Sequence, residues 1–193
     1  MKPIVINLDS RPDRLKRFTK EIKALGIKTF DRFPAISQPD PLRGNGRSHY
    51  QCLKAGYRMI FEDDAFFIPG AVDILAKAKK QLPKDWDLLY LGGNVEEPLK
   101  SHSENLFRCT AAWGSYAIIY SDKGAERVLN EYDPFTGRFE IFDVYLRRNS
   151  SIDLNAYIVS PIICWTYAGY LDVNNREENY LPKMQQNEKD FML

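Results

Sequence analysis

The chain has 193 residues, 44% of them hydrophobic and 27% charged, with a formal net charge of +1. That length and balance suit one globular domain with a substantial core. Near-neutral charge argues against a nucleic-acid binder or a polybasic membrane-surface protein. Cys52, Cys109 and Cys164 form no C-x-x-C or Cys/His cluster. Neither zinc nor a disulfide framework is therefore indicated, and a reducing, cytoplasmic setting is the default expectation. The opening MKPIVINLDS is too short an apolar run for a signal peptide. Nothing approaches the roughly 18 apolar residues of a membrane span. Aromatic residues, at 13%, suit a sugar or nucleotide binder and equally a core rich in Phe and Tyr.

Pro3 to Leu8 reads as a continuous apolar strand buried on both faces. Ser10-Arg-Pro-Asp13 has the form of a helix start, and Leu15, Phe18, Ile22 and Leu25 give one apolar stripe that Gly26 ends. A strand at about 28–33 completes a βαβ opening. Residues 34–47 are rich in Pro and Gly and predict a loop. Ser48 to Gln51 reads as a capping box opening a short helix that Gly56 ends. The strand YRMIFEDD follows, then a helix opened by Pro69 with Val72, Leu75 and Ala76 inward. Asp85 to Asn94 predicts a strand running into a glycine turn, and 95–105 a polar loop. LFRCT and WGSYAIIYS predict further strands, the second ending at the helix cap Ser121. Ala125, Val128 and Leu129 line that helix, and Phe139, Phe142 and Leu146 line another that carries Asp143. Residues 156–172 are β-rich, broken by Pro161 and Gly169, and 173–193 form a polar tail. The layout is a single α/β domain whose second half drifts from strict alternation towards a mixed sheet flanked by helices.

The chemistry concentrates in Glu62, Asp63 and Asp64, three carboxylates between MIF and AFF. Strand alternation places Glu62 and Asp64 on one side and Asp63 on the other. Two carboxylates facing the same way repel and hold protons unless a cation lies between them. Hard oxygen ligands select Mg²⁺ or Mn²⁺, shared with phosphate. The plainer alternative is an acidic turn that solubilises a strand end. In an open α/β sheet, ligands bind beyond the carboxyl ends of the strands. Asn7, Leu8 and Asp9 lie at such an end, with Arg11 and Arg14 in the next turn. Those arginines either grip a diphosphate bidentately or lie in solvent while Asp9 or Ser10 caps the helix. His49 is of a type more often packed or at the surface than catalytic. No P-loop, dinucleotide fingerprint or G-x-S-x-G elbow is present.

INLDSRPDR (6–14), the G-x-x-x-S-H of Gly44 to His49 and FEDDA (61–65) together resemble the family 25 glycosyltransferases, which include lipooligosaccharide and collagen galactosyltransferases. WDLLYLGG (86–93), GSYAIIYSDKGAERVL (114–129) and FDVYL (142–146) are similar to its later blocks, in order, so the likeness spans about residues 3 to 172. It implies a GT-A-type, Rossmann-like nucleotide-diphosphosugar transferase. The donor would be a UDP-sugar such as UDP-galactose, and the acceptor a hydroxyl of a glycan or glycoprotein. Glu62 and Asp64 would hold Mn²⁺ or Mg²⁺, with Asp63 towards the ribose or sugar. Asn7, Leu8, Asp9, Arg11, Arg14, Ser48 and His49 would fall around the nucleotide in a donor-binding half, 3–94. Asp143, with Asp172 second, would serve as base in an acceptor-side half, 106–172, and the reaction would invert. Two departures stand out: Asn45 replaces the family's cysteine, and only 12 residues separate His49 from Glu62. The second suggests a non-catalytic sugar-nucleotide- or glycan-binding module as one alternative; a magnesium-dependent nucleotidyltransferase is another.

Overall fold

A computed structural model describes residues 2–136, 140–167, 169–171 and 176–192. The chain opens with β1 (Pro3–Asn7), every residue of which is buried, followed by α1 (Pro12–Glu21). Pro12 occupies the first helical turn, and neither Ser10 nor Asp9 supplies a capping side chain. A 3₁₀ turn (Ile22–Leu25) stops at Gly26, whose φ of 69° is the left-handed conformation a helix end requires. Phe18, Ile22 and Leu25 are buried, as their spacing predicts. The next strand, β2 (Asp31–Pro34), pairs with β1 in parallel.

Half of the predicted loop at 34–47 is helix. α2 runs from Pro41 to Lys54, capped by Asp40, whose carboxylate accepts from Leu42 N at 3.0 Å. Ser48 is therefore no cap. It lies fully buried in mid-helix, where its hydroxyl donates to Gly44 O (2.8 Å) and accepts from Ile36 N (2.9 Å). Glycine disfavours helix, but here it permits close approach: a Cβ at Gly44 would lie 2.3 Å from Ile36 O, and one at Gly46 would lie 2.1 Å from the Tyr132 hydroxyl. Asp40-Pro41 was the readable start signal.

β3 (Met59–Glu62) and β4 (Ala65–Phe67) flank the two-residue acidic turn, and α3 (Ala71–Gln81) follows. In α3 the stripe is Ala71, Leu75 and Ala78, at i, i+4 and i+7, whereas Ala76 is exposed and Val72 is 42% exposed. The expected inward set is thus corrected by one step of helix phase. After β5 (Leu88–Tyr90), the predicted loop at 95–105 contains strand: β6 (Asn94–Val95) and β7 (Lys100–Ser103), the latter paired with β8 (Leu106–Arg108). WGSYAIIYS is not one strand but parts of two, β9 (Ala112–Trp113) and β10 (Ala117–Tyr120), divided at Gly114, whose φ is 112°. α4 (Asp122–Glu131) is capped by Ser121, which accepts from Gly124 N at 2.9 Å.

α5 (Phe142–Ile152) carries Phe142 and Leu146 into the core; Phe139 lies outside the described residues. β11 (Ala156–Val159), β12 (Cys164–Thr166), β13 (Gly169–Leu171) and β14 (Arg176–Glu178) precede α6 (Leu181–Phe191). The expected polar tail is thus largely an amphipathic helix. Met184 and Met192 are buried, and Glu188 accepts from Ile162 N at 2.6 Å. The three cysteines are buried and free. Among the described residues, no helix is long and apolar enough to cross a membrane.

The main sheet has eight strands in the order β2-β1-β3-β10-β5-β11-β8-β7. β1, β2 and β3 run parallel, β10 runs against both β3 and β5, and β11 is parallel to β5. Helices cover both faces. Phe61 meets Phe18 of α1 (5.7 Å between rings), while its neighbour Glu62 meets His49 of α2, as alternation requires. His49 in turn stacks on Phe142 of α5 at 4.8 Å. The protein is a mixed α/β fold with one large mixed sheet between helical layers.

Gly44→Ala tests the close approach of α2. Alanine is intrinsically the better helix former by about 1 kcal/mol, yet urea denaturation should show a net loss of ~1–3 kcal/mol, because the new methyl must displace backbone at Ile36. An unchanged or higher midpoint would contradict the packing described.

Candidate functional site

The site is assembled by register. Ile6 of β1 pairs with Glu62 of β3, so the next residues along, Asn7 and Asp63, fall side by side just past the sheet. Asn7 Nδ2 donates to Asp63 Oδ2 at 2.6 Å, and Arg14 of α1 approaches Asp63 Oδ1 at 3.4 Å. β3 stops at Glu62, so alternation does not extend through the triplet; residues 63–64 form a turn. All three carboxylates consequently line one cleft of about 250 Å³. Its other walls are Ile6, Asn7, Leu8 and Arg14 at the β1–α1 crossover, the strap Ala35 to Gln38, and Pro41, Gly44, Asn45 and Ser48 of α2.

Glu62 is the most heavily bonded of the three. Its Oε1 accepts from Asn45 Nδ2 (3.1 Å), His49 Nε2 (3.0 Å) and Ser115 Oγ (2.6 Å). Burial pushes this carboxyl up, but His49, Ser115 and Asn45 outweigh that and hold it below its ordinary value. Burial raises Asp63 despite Asn7 and Arg14. Asp64 is pushed up to about 7 by burial and by the charges of Glu62 and Asp63. Its Oδ1 is buried without a hydrogen-bond partner. Asp143, at the start of α5, is pushed up to about 6 by burial and by Glu62, and it faces the same Ser115.

The remaining expected site residues fall into three groups. Asn7, Leu8, Arg14, Ser48 and the acidic triplet share the cleft. Asp9 and Arg11 do not line it: Asp9 is exposed and pairs with Arg32, and Arg11 pairs with Asp13 at 3.2 Å. His49 is fully buried behind Glu62 and reaches the cleft only through that carboxylate. Asp172 lies outside the described residues. Sequence reasoning missed Asn45, Ser115 and the strap at 35–38. Asn45 follows Gly44 in a stretch with no catalytic signal of its own, and Ser115 depends on antiparallel pairing that no local pattern encodes.

The donor atoms are hard oxygens, suited to Mg²⁺ or Mn²⁺. Asp64 fits: a buried, unpartnered carboxylate oxygen beside two acidic neighbours is the electrostatic condition that a divalent cation relieves. Among the described residues, no three His, Cys, Asp or Glu side chains come together as a metal cage. A cation here would complete its shell with oxygens other than these side chains', from water or a bound phosphate.

No family model matches the sequence, and no curated protein does. Among solved structures, the crystal structure of A197 from STIV is similar, with a TM-score of 0.51 and 10% identity over 92% of this chain and 93% of that one. The likeness is one of fold.

A carboxyl whose folded-state value is raised favours folding below its unfolded value, and that contribution is lost as pH climbs through the folded value. For Asp64 and Asp143 the loss falls between about 3.8 and about 7 or about 6 respectively. In chelator-treated protein, Asp64→Asn should therefore raise the melting temperature at pH 8 by ~3 °C or more, the shift that about 1 kcal/mol gives in a chain of this length. It should give little gain at pH 4. A gain that is the same at both values would rule out the charge repulsion.

Proposed function

We propose that the protein is a metal-dependent glycosyltransferase of the GT-A type. It moves a hexose, galactose or a related sugar, from a UDP-sugar to a hydroxyl of a glycan or glycoprotein acceptor, with inversion. The supporting observation is the meeting, in one cleft at the carboxyl rim, of the acidic turn 62–64 with the crossover that carries Asn7 and Arg14. This arrangement matches the resemblance of INLDSRPDR and FEDDA to family 25.

In this reading Arg14 meets a donor phosphate, since a guanidinium can bind carboxylate and phosphate oxygens together. Asp63, oriented by Asn7, keeps lone pairs for the ribose hydroxyls. Asp64, with its unpartnered buried oxygen, and Glu62 would hold the cation. A divalent cation there would supply charge neutralisation for a departing nucleoside diphosphate. Asp143 stands outside the cleft lining, faces Ser115 and keeps a buried Oδ1 without a partner; in this reading it takes the proton from the attacking hydroxyl. Asp172 is the second candidate for that base.

A second reading, a non-catalytic sugar-nucleotide-binding module, draws support from one observation. Asn7, Arg14, Asn45, His49 and Ser115 already occupy Asp63 and one oxygen of Glu62. Nucleotide release from a panel of UDP- and GDP-sugars with Mn²⁺ separates the two readings. The transferase predicts release from a UDP-sugar that EDTA abolishes. Asp64→Ala should slow it at least ~100-fold, as loss of a directly ligating carboxylate does in metal sites. Release insensitive to EDTA would refute the metal role, and UDP binding without turnover of any donor would favour the module.

A further inference from the structure

Two residues before Ser115 and outside the donor cleft, the strand pair β6–β9 holds a second polar cluster that the donor chemistry does not use. Trp113 is half-buried, and its indole N–H donates to Glu96 Oε2 at 2.5 Å. Arg147 stands over the indole ring at 5.0 Å from its centroid and pairs with Glu97 at 3.1 Å. Asn94, opposite Trp113 in the ladder, reaches Glu96 at 3.5 Å. An aromatic surface ringed by carboxylates, an amide and a guanidinium is the chemistry that recognises a pyranose. The ring covers the apolar C–H face, and the polar groups, already fixed by one another, bond the hydroxyls at its edge.

Its position relative to the reacting groups is what assigns it. Trp113, Gly114 and Ser115 are consecutive, so Trp113 lies within ~7 Å of chain from the serine that bonds Glu62. Arg147 stands one helical turn from Asp143 on α5, at i and i+4, so both present to the same side of that helix. We infer that Trp113, Arg147 and Glu96 form an acceptor subsite that takes one pyranose unit of a glycan and presents a hydroxyl of it towards Asp143. This inference rests on the transferase reading for the transfer, but the sugar contact stands by itself.

Intrinsic fluorescence tests it on the full chain. Trp165 is buried, whereas Trp86 is half-buried like Trp113, so the variants, with binding also read by calorimetry, assign the change to Trp113. The protein, with UDP and Mn²⁺ present, is titrated with methyl β-galactoside, methyl α-glucoside and lactose. A saturable change with at least one of these is expected. Trp113→Ala should abolish it, and Arg147→Ala should weaken the sugar roughly tenfold, the scale of a lost stacking partner. A Trp113→Phe chain, which keeps an aromatic face, should retain sugar affinity within a few-fold when read by calorimetry. Thermal melting of each variant establishes that it is folded. No saturable change in the wild type, or an undiminished one in Trp113→Ala, overturns the subsite. Sugar binding at Trp113 in a protein that binds no UDP would leave the subsite standing and remove the transferase reading, so the two fail separately.

Discussion

The parallel pairing of β1 with β3 is the constraint on which the rest of the site depends. Because Ile6 lies opposite Glu62, both strands run out of hydrogen-bonded ladder at the same level. Asn7 and Asp63 then meet at 2.6 Å, and α1 begins close enough for Arg14 to reach the same carboxylate. A slip of one residue would turn Glu62 into the α1 layer, against Phe18, and leave Asp63 facing His49. Such a slip is costly because it would turn the Glu62 carboxylate away from its three donors and into an apolar layer.

Glu62 then joins two layers that the chain builds separately. Its Oε1 gathers donors from α2 and from the lead into β10, elements whose contributing residues lie 17, 13 and 53 positions away. A buried carboxylate costs several kcal/mol in desolvation unless hydrogen bonds return it, and three donors on one oxygen answer that cost. The consequence is asymmetric. Glu62 holds its charge easily while Asp64, with a buried oxygen left unpartnered, does not. Within three residues the chain therefore contains one fixed anion and one carboxyl poised near neutrality. A divalent cation would relieve that asymmetry, and Asp143, which faces Ser115, is raised by the same Glu62 charge.

The limits of local reading show best in α2. Its glycines and asparagine argue for a loop by propensity, yet the glycines let the helix approach Ile36 and Tyr132, and Asn45 bonds Glu62. Tertiary contact outweighs about 1 kcal/mol per glycine. The last helix failed for a related reason: its apolar stripe is only a few residues wide, and Met184 and Met192 find partners that are remote in the chain. In α3, a short helix with many small residues left the phase undetermined, and Val72 turned outward.

What the residues alone determined is the periodic part of the molecule: the buried opening strand, the α1 stripe, the cap at Ser121 and the acids ending β3. Each of these is a local pattern of burial or backbone bonding, and local patterns survive in the order of the letters. Which acids share a cleft, that Ser48 lines it while His49 supports Glu62 from behind and Asp9 and Arg11 turn away, and that Ser115 bridges to Glu62 were settled only by the packed chain. Those relations depend on sheet order and on pairing between residues tens of positions apart, and no periodicity records them.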